Sequence, residues 1–190
     1  MKKILLIAAT ARVAVSAFAQ PKFAHVNFSE LVQLCPDADK ARETMTAASN
    51  EAQETFNDMQ TEFNTKLQTY QSKGSTWTAA VRESKEKELT EIQQRLQEFS
   101  QSVQAELQQQ EQQLMQPIYE KVNKVIQDLA KKGGYIYVFD ANNVLYLDPA
   151  QSHDLTPEGR KAMNIAADRT LEALAAELQA QPQAAAAAQQ

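Results

Sequence analysis

The chain has 190 residues, of which 43% are hydrophobic, 7% are aromatic and only four are glycine. Its formal net charge of −5 excludes the basic footprint of a nucleic-acid-binding domain, and its single cysteine excludes an intrachain disulfide framework. Few glycines and few aromatic residues favour long helices around a thin core.

The first nineteen residues are typical of an export signal. A Lys-Lys start precedes a mostly apolar stretch, and an Ala-Phe-Ala motif ends at Ala19. This order is that of a secretory signal peptide, so we predict cleavage between Ala19 and Gln20. Arg12 places a charge inside the apolar stretch and is expected to weaken membrane insertion.

A short strand over residues 22–28 is followed by two helical stripes. Apolar or small residues recur at alternating steps of three and four from residue 37 to residue 73, where Gly74 begins a stop signal. A second stripe of the same period continues to Lys132 and ends at Gly133. The sequence therefore predicts two long helices joined by one loop.

The two stripes stay in register when they are paired antiparallel. The residue numbers of Phe63 and Leu89 add up to 152, and those of Met45 and Leu107 give the same sum. Residues 37–117 are thus predicted to form a helical hairpin arm with its tip near residues 74–78 and with Pro117 opposite Cys35-Pro36. The predicted seam consists of Met45, Phe56, Met59, Phe63, Leu89, Ile92, Leu96, Phe99, Val103 and Leu107.

Residues 20–36 and 118–178 are predicted to form a small α/β body. Residues 135–139 and 144–147 are rich in β-branched and aromatic residues, and they indicate a strand-turn-strand hairpin. Thr156 is the predicted N-cap of a closing helix that runs to about residue 178. The remaining residues, 179–190, are rich in Ala and Gln and are predicted to be disordered. Three short strands do not make a stable sheet alone, so we expect that either helices cover them or other subunits complete them.

This order of elements resembles the Skp/OmpH family of periplasmic chaperones. The local matches are Phe23-Ala24-His25-Val26-Asn27, Tyr135-Ile136-Tyr137-Val138-Phe139-Asp140 and Asp154-Leu155-Thr156. The resemblance implies an α+β fold in which a long antiparallel helical hairpin projects from a small β body completed by trimerisation. It also implies a periplasmic homotrimer that holds unfolded outer-membrane proteins between its arms without ATP. The best-known members of the family are basic, whereas this chain is acidic.

The predicted arm tip is locally basic and carries the only tryptophan. Lys73, Trp77, Arg82 and Lys85 are candidate contacts for an unfolded client or, weakly, for a membrane surface. The alternative is a solvated turn in which Trp77 caps the end of the hairpin.

No sequence motif indicates catalysis. A glycine-rich phosphate loop, a nucleophile elbow and a zinc-protease motif are all missing from the sequence. We therefore predict no enzyme, no catalytic or metal-binding residues and no cofactor. The competing hypotheses are a structural coiled-coil spacer of the cell envelope and a cytosolic prefoldin-like holdase, the latter without an export signal.

Overall fold

The computed structural model describes residues 21–187, with side chains as far as residue 180. The predicted signal peptide and its cleavage site at Ala19 and Gln20 lie outside the described residues. Two short 3-10 turns, Gly74–Thr76 and Ala141–Asn143, join longer elements. These elements are, in chain order, β1 (Lys22–Val26), α1 (Phe28–Leu34), α2 (Pro36–Lys73), α3 (Ala79–Gly133), β2 (Tyr135–Asp140), β3 (Ser152–Asp154), α4 (Thr156–Ala162) and α5 (Leu171–Ala187).

The two long helices begin and end with standard signals. Pro36 occupies the start of α2, where its missing N–H costs nothing. The Thr78 hydroxyl accepts a hydrogen bond from the Val81 amide at the start of α3. Gly134 ends α3 with a φ of 70°, a left-handed conformation that suits glycine. With 38 residues at about 1.5 Å each, α2 is about 57 Å long.

The first strand ends earlier than predicted. We expected a strand over residues 22–28, whereas β1 ends at Val26 and α1 begins at Phe28. The cause is a local cap, because the Asn27 side chain accepts a hydrogen bond from the Glu30 amide at 3.0 Å. A capping residue followed three positions later by Glu is a helix-start signal that the sequence already contained.

The predicted β-hairpin is wrong. The sheet has the order β2-β1-β3, and both outer strands are parallel to β1. Residues 144–147 form no strand, and the third strand is Ser152–Asp154. The Asp140 carboxylate accepts a hydrogen bond from the Asn142 amide at 3.2 Å and caps a 3-10 turn there, where we expected a tight hairpin turn.

The parallel pairing of β1 and β2 explains where the arm sits in the topology. Parallel neighbours require a long crossover connection, which is usually a helix. Here the connection is α1, α2 and α3 together, so the arm is an extended crossover between two adjacent strands. The arm is therefore connected to two adjacent strands, to β1 through α1 and to β2 through the end of α3.

The C-terminal part differs from the prediction in three ways. The single closing helix is divided into α4 and α5 by residues 163–170, where Asn164 takes a positive φ of 56°. Thr156 is the first residue of α4 and not its N-cap; its amide donates to the Asp154 carboxylate at 2.8 Å. The last helix continues to Ala187, past the predicted start of a disordered tail at residue 179.

The hydrophobic core lies almost entirely in the body and at the root of the arm. It joins β1, α1, the first turns of α2, the part of α3 beyond its proline, and the C-terminal helices. Its largest fully buried side chains include Leu31, Leu34, Val122, Met163 and Cys35. Ile92 is the one seam residue of the described chain that is fully buried, with 1% of its surface exposed.

Candidate interaction surfaces

The ten predicted seam residues all lie on the inner face of the hairpin. Ile92 is buried and the other nine are half-buried, while most residues between them on each helix are exposed. Met45 and Leu107 line one cavity together, and Phe56 and Leu96 line another. In each of these two pairs the residue numbers add up to 152, the sum from which the seam was predicted. The arm is two helices thick, so its seam stays partly accessible from the sides.

Polar contacts join the helices in the outer half of the arm. The Lys66 ammonium binds the Glu88 carboxylate, and the Tyr70 hydroxyl donates to Glu86. Hydrogen bonds from Lys66 and Lys85 lower the pKa of Glu88 to about 2. The same contact with Glu88 raises the pKa of Lys66. Sequence reasoning missed Glu88, because the residue numbers of Lys66 and Glu88 add up to 154 and the pair therefore lies outside the predicted seam.

The four predicted tip residues lie at the end of the hairpin, but they are engaged to different degrees. Trp77 is half-buried and packs edge-on against Tyr70, with 5.9 Å between the ring centroids. The Arg82 Nε donates to the Gly74 carbonyl at 3.2 Å, and Lys85 pairs with Glu88 at 2.8 Å. Lys73 is exposed in the last turn of α2. Trp77 therefore packs against the end of the hairpin, as in the alternative in which the tip is a solvated turn.

Two prolines lie near the root of the arm. Pro36 starts α2, and Pro117 lies inside α3, where it removes a backbone hydrogen bond. Pro117 and Asp37 line the same cavity of about 250 Å³. The Lys121 ammonium lies 2.6 Å from the Asp37 carboxylate, and this hydrogen bond lowers the pKa of Asp37.

An apolar surface is exposed on the body. Phe23, Tyr137 and Phe139 form a row of stacked rings across β1 and β2, with centroid separations of 6.3 and 6.0 Å. Tyr137 is 60% exposed, and in the following loop Leu145 and Tyr146 are 108% and 82% exposed. Aromatic side chains presented this way are typical of an interaction surface. The prediction had placed Leu145 and Tyr146 in a strand.

Residues 21–187 were compared with the requirements of a membrane-spanning helix and of a metal site. Between residues 21 and 187, no helix combines the length and the apolar character that crossing a bilayer requires. In the same span, no group of His, Cys, Asp and Glu side chains is placed to hold a metal ion. The described residues form a small body with a long two-helix arm, and apolar side chains are exposed on β2 and on the loop that follows it.

Comparisons with known proteins agree with this architecture. The sequence model of the outer membrane protein (OmpH-like) family matches residues 22–163. Chaperone protein Skp of Yersinia enterocolitica is 30% identical over 163 residues, covering 83% of this chain and 96% of the relative. Skp of Photorhabdus luminescens is 33% identical over 153 residues, covering 77% and 90%. The chain belongs to the OmpH-like family.

A solved structure shows the same fold. The crystal structure of an OmpH-like protein from Caulobacter crescentus superposes with a TM-score of 0.69 and covers 77% of this chain and 85% of its own. Only 17% of the aligned residues are identical, so this likeness concerns the fold alone.

Proposed function

We propose that the chain is an ATP-independent holdase of the periplasm that binds unfolded outer-membrane proteins and prevents their aggregation. One observation carries the proposal: a chain whose relatives are named chaperones presents a thin helical arm, about 57 Å long, with a half-exposed apolar seam. Such an arm has almost no buried volume for a catalytic centre, but it offers a long surface for weak contacts.

The physical basis is the nature of the clients. An unfolded β-barrel chain exposes strand edges and apolar side chains that pair with other copies and aggregate. A surface that covers such segments through many weak contacts slows this pairing without fixing one client conformation. Methionine is well suited to this role because its flexible side chain adapts to different partners, and Met45, Met59 and Met115 are all half-buried.

Aggregation of a purified porin, diluted from urea, tests the holdase directly. We expect the processed protein to suppress light scattering at stoichiometric amounts without nucleotide, and to co-sediment with the soluble porin. A structural spacer would leave the scattering and the sedimentation of the porin unchanged, and that result would contradict the proposal. Export is tested separately by mass spectrometry of the mature N-terminus, where Gln20 is expected.

The proposal includes assembly into a homotrimer through the body. Within residues 21–187 the sheet has three strands, its outer strand β2 carries exposed aromatic residues, and the adjoining loop exposes Leu145 and Tyr146. Covering these side chains would remove apolar surface from water, and pairing the free edge of β2 would satisfy its backbone groups. Arms from three such bodies would then surround a shared space for the client.

A charged substitution tests the assembly. Tyr137→Lys places a cation within the exposed aromatic row and is expected to lower the mass measured by light scattering from a trimer to a monomer. Val81→Lys is the matched control, because Val81 is 42% exposed but lies on the arm, far from the sheet. A trimer mass for Tyr137→Lys would show that this face is not the interface.

The arm tip is proposed as an auxiliary contact for clients or for an anionic membrane surface. Lys73 contributes an exposed cation there, and Arg82, Lys85 and Trp77 lie next to it. We expect Lys73→Glu to weaken co-sedimentation with vesicles that contain anionic lipid, at low salt and not at high salt. Equal sedimentation of variant and parent at low salt would exclude the contact.

A further inference from the structure

The chain continues past the part that the family model matches. That match ends at residue 163, and the structure then contains a connector, residues 163–170, and the helix α5. The connector is anchored rather than loose, because Met163 and Ile165 are 1% and 7% exposed. Leu174 of α5 is also buried, at 4% exposed, within the body core. The additional segment is therefore an integral part of the body.

Two arginines link this connector to the helices at the base of the arm. The Arg160 guanidinium binds the Glu30 carboxylate on α1 and donates to the carbonyls of Ala166 and Arg169, at 2.6 and 2.8 Å. Arg169 in turn donates to the Asp39 carboxylate of α2 at 2.7 Å. The connector thus bridges α1 and α2 on either side of the point where the arm leaves the body.

The Arg169 side chain is mostly buried, and this burial costs free energy. It is 24% exposed, and its Nε is buried without a hydrogen-bond partner among the described residues. Burial of an unpaired donor is unfavourable, so the side chain is held there by the contacts of its Nη2 with Asp39 and, at 3.5 Å, with Glu177. Both carboxylates belong to the helices that the contact joins, α2 and α5.

The attachment point lies close to the break between α1 and α2. Cys35 alone separates α1 from α2, and Pro36 begins the new helix. Asp37 and Asp39 lie in the first turn beyond this break; Asp37 is held by Lys121 of α3, and Asp39 is held by Arg169. Among the described residues, the contact between Arg169 and Asp39 is the ion pair that ties the first turn of α2 to the C-terminal segment.

We infer that residues 163–178 form a brace that fixes the angle between the arm and the body. The brace binds α2 one turn above the break at Cys35, where a small rotation would move the arm tip by a large distance. It restricts the directions that the arm takes, and with them the width of the space between arms. This inference goes beyond the proposed function, because it concerns how the arm is held and not what it holds.

Distances between two labels on one chain test the brace. Spin labels are attached after Gln60→Cys on the exposed face of α2 and Lys161→Cys on α4, and labelled chains are diluted with excess unlabelled protein. We expect Arg169→Ala combined with Leu174→Ala to widen the distance distribution at least about twofold. Glu172→Gln, an exposed change on α5, is the matched control and is expected to leave the width unchanged.

The width of the distance distribution decides whether the brace restricts the arm. A distribution of parental width in the double variant would overturn the brace. If circular dichroism shows that the double variant has lost helix, Arg169→Ala alone is measured and judged by the same criterion. No client is present in the experiment, so a protein without holdase activity would still give the predicted widening, and failure of one proposal does not imply failure of the other.

Discussion

Ile92 offers a direct measure of how the arm is stabilised. It is 1% exposed, whereas the other predicted seam residues are only half-buried, and Met59 is its expected partner across the seam. Ile92→Ala removes about three buried methylene equivalents, worth roughly 0.8 kcal/mol each. The arm is thin and its neighbouring side chains can move into the space, so the additional cavity penalty should be small. We expect a loss of about 2–3 kcal/mol in the stability of the arm.

Hydrogen exchange read by mass spectrometry measures this loss locally. Since each 1.4 kcal/mol is a factor of ten, exchange in arm peptides that span Ile92 should accelerate roughly 30- to 140-fold, while peptides from β1 and α4 keep the parental rate. Val81→Ala is the control, because Val81 is 42% exposed and its truncation should cost under about 0.5 kcal/mol. Acceleration below about threefold, or equal acceleration in the body, would refute the view that the seam stabilises the arm independently.

Three further predictions concern other parts of the molecule. The folded-state pKa of Glu88, about 2, lies below its usual value of 4.5, so its stabilising contribution is present above about pH 4.5 and is lost as the pH falls towards 2. Thermal melts at low salt should therefore show a gap between parent and Glu88→Gln that closes over this window, and a constant gap would contradict it. A Cβ on Gly159 would lie 2.6 Å from Leu31 Cδ1, so Gly159→Ala should destabilise the body by about 1–3 kcal/mol in urea unfolding. Asn27→Ala removes the cap of α1 and should cost about 1–2 kcal/mol; an unchanged midpoint would show that the cap adds nothing.

The arm could be predicted from the sequence because its structure depends on local periodicity. Apolar or small residues recur every three or four positions along both stripes, and one loop near Gly74 fixes the pairing of the two stripes. A helical hairpin of this kind has no alternative partner within reach. The polar contacts between the two helices were harder to predict. The pairing of Lys66 with Glu88 depends on which polar side chains face each other across the helices, and the spacing of apolar residues does not show this.

The body was predicted less well because its sheet depends on distant partners. β1 and β2 are 109 residues or more apart in sequence and become neighbours only when the arm closes its crossover. Local propensity gave β2 correctly, but it could not give the parallel direction or the position of β1 between two strands. β3 has only three residues, Ser152–Asp154, and none of them is a strong strand former.

The misplaced strand at residues 144–147 also has a physical explanation. Its apolar and aromatic residues follow the pattern of a buried strand, yet Leu145 and Tyr146 are almost fully exposed in the single chain. Exposed apolar patches favour aggregation unless another chain covers them. Apolar residues at these positions are therefore expected if another subunit covers them. The local pattern would then describe burial in the proposed trimer, while the isolated chain supplies only part of that environment. Protection of the peptide that contains Leu145 and Tyr146 from hydrogen exchange should accordingly rise with protein concentration, and concentration-independent exchange there would contradict this explanation.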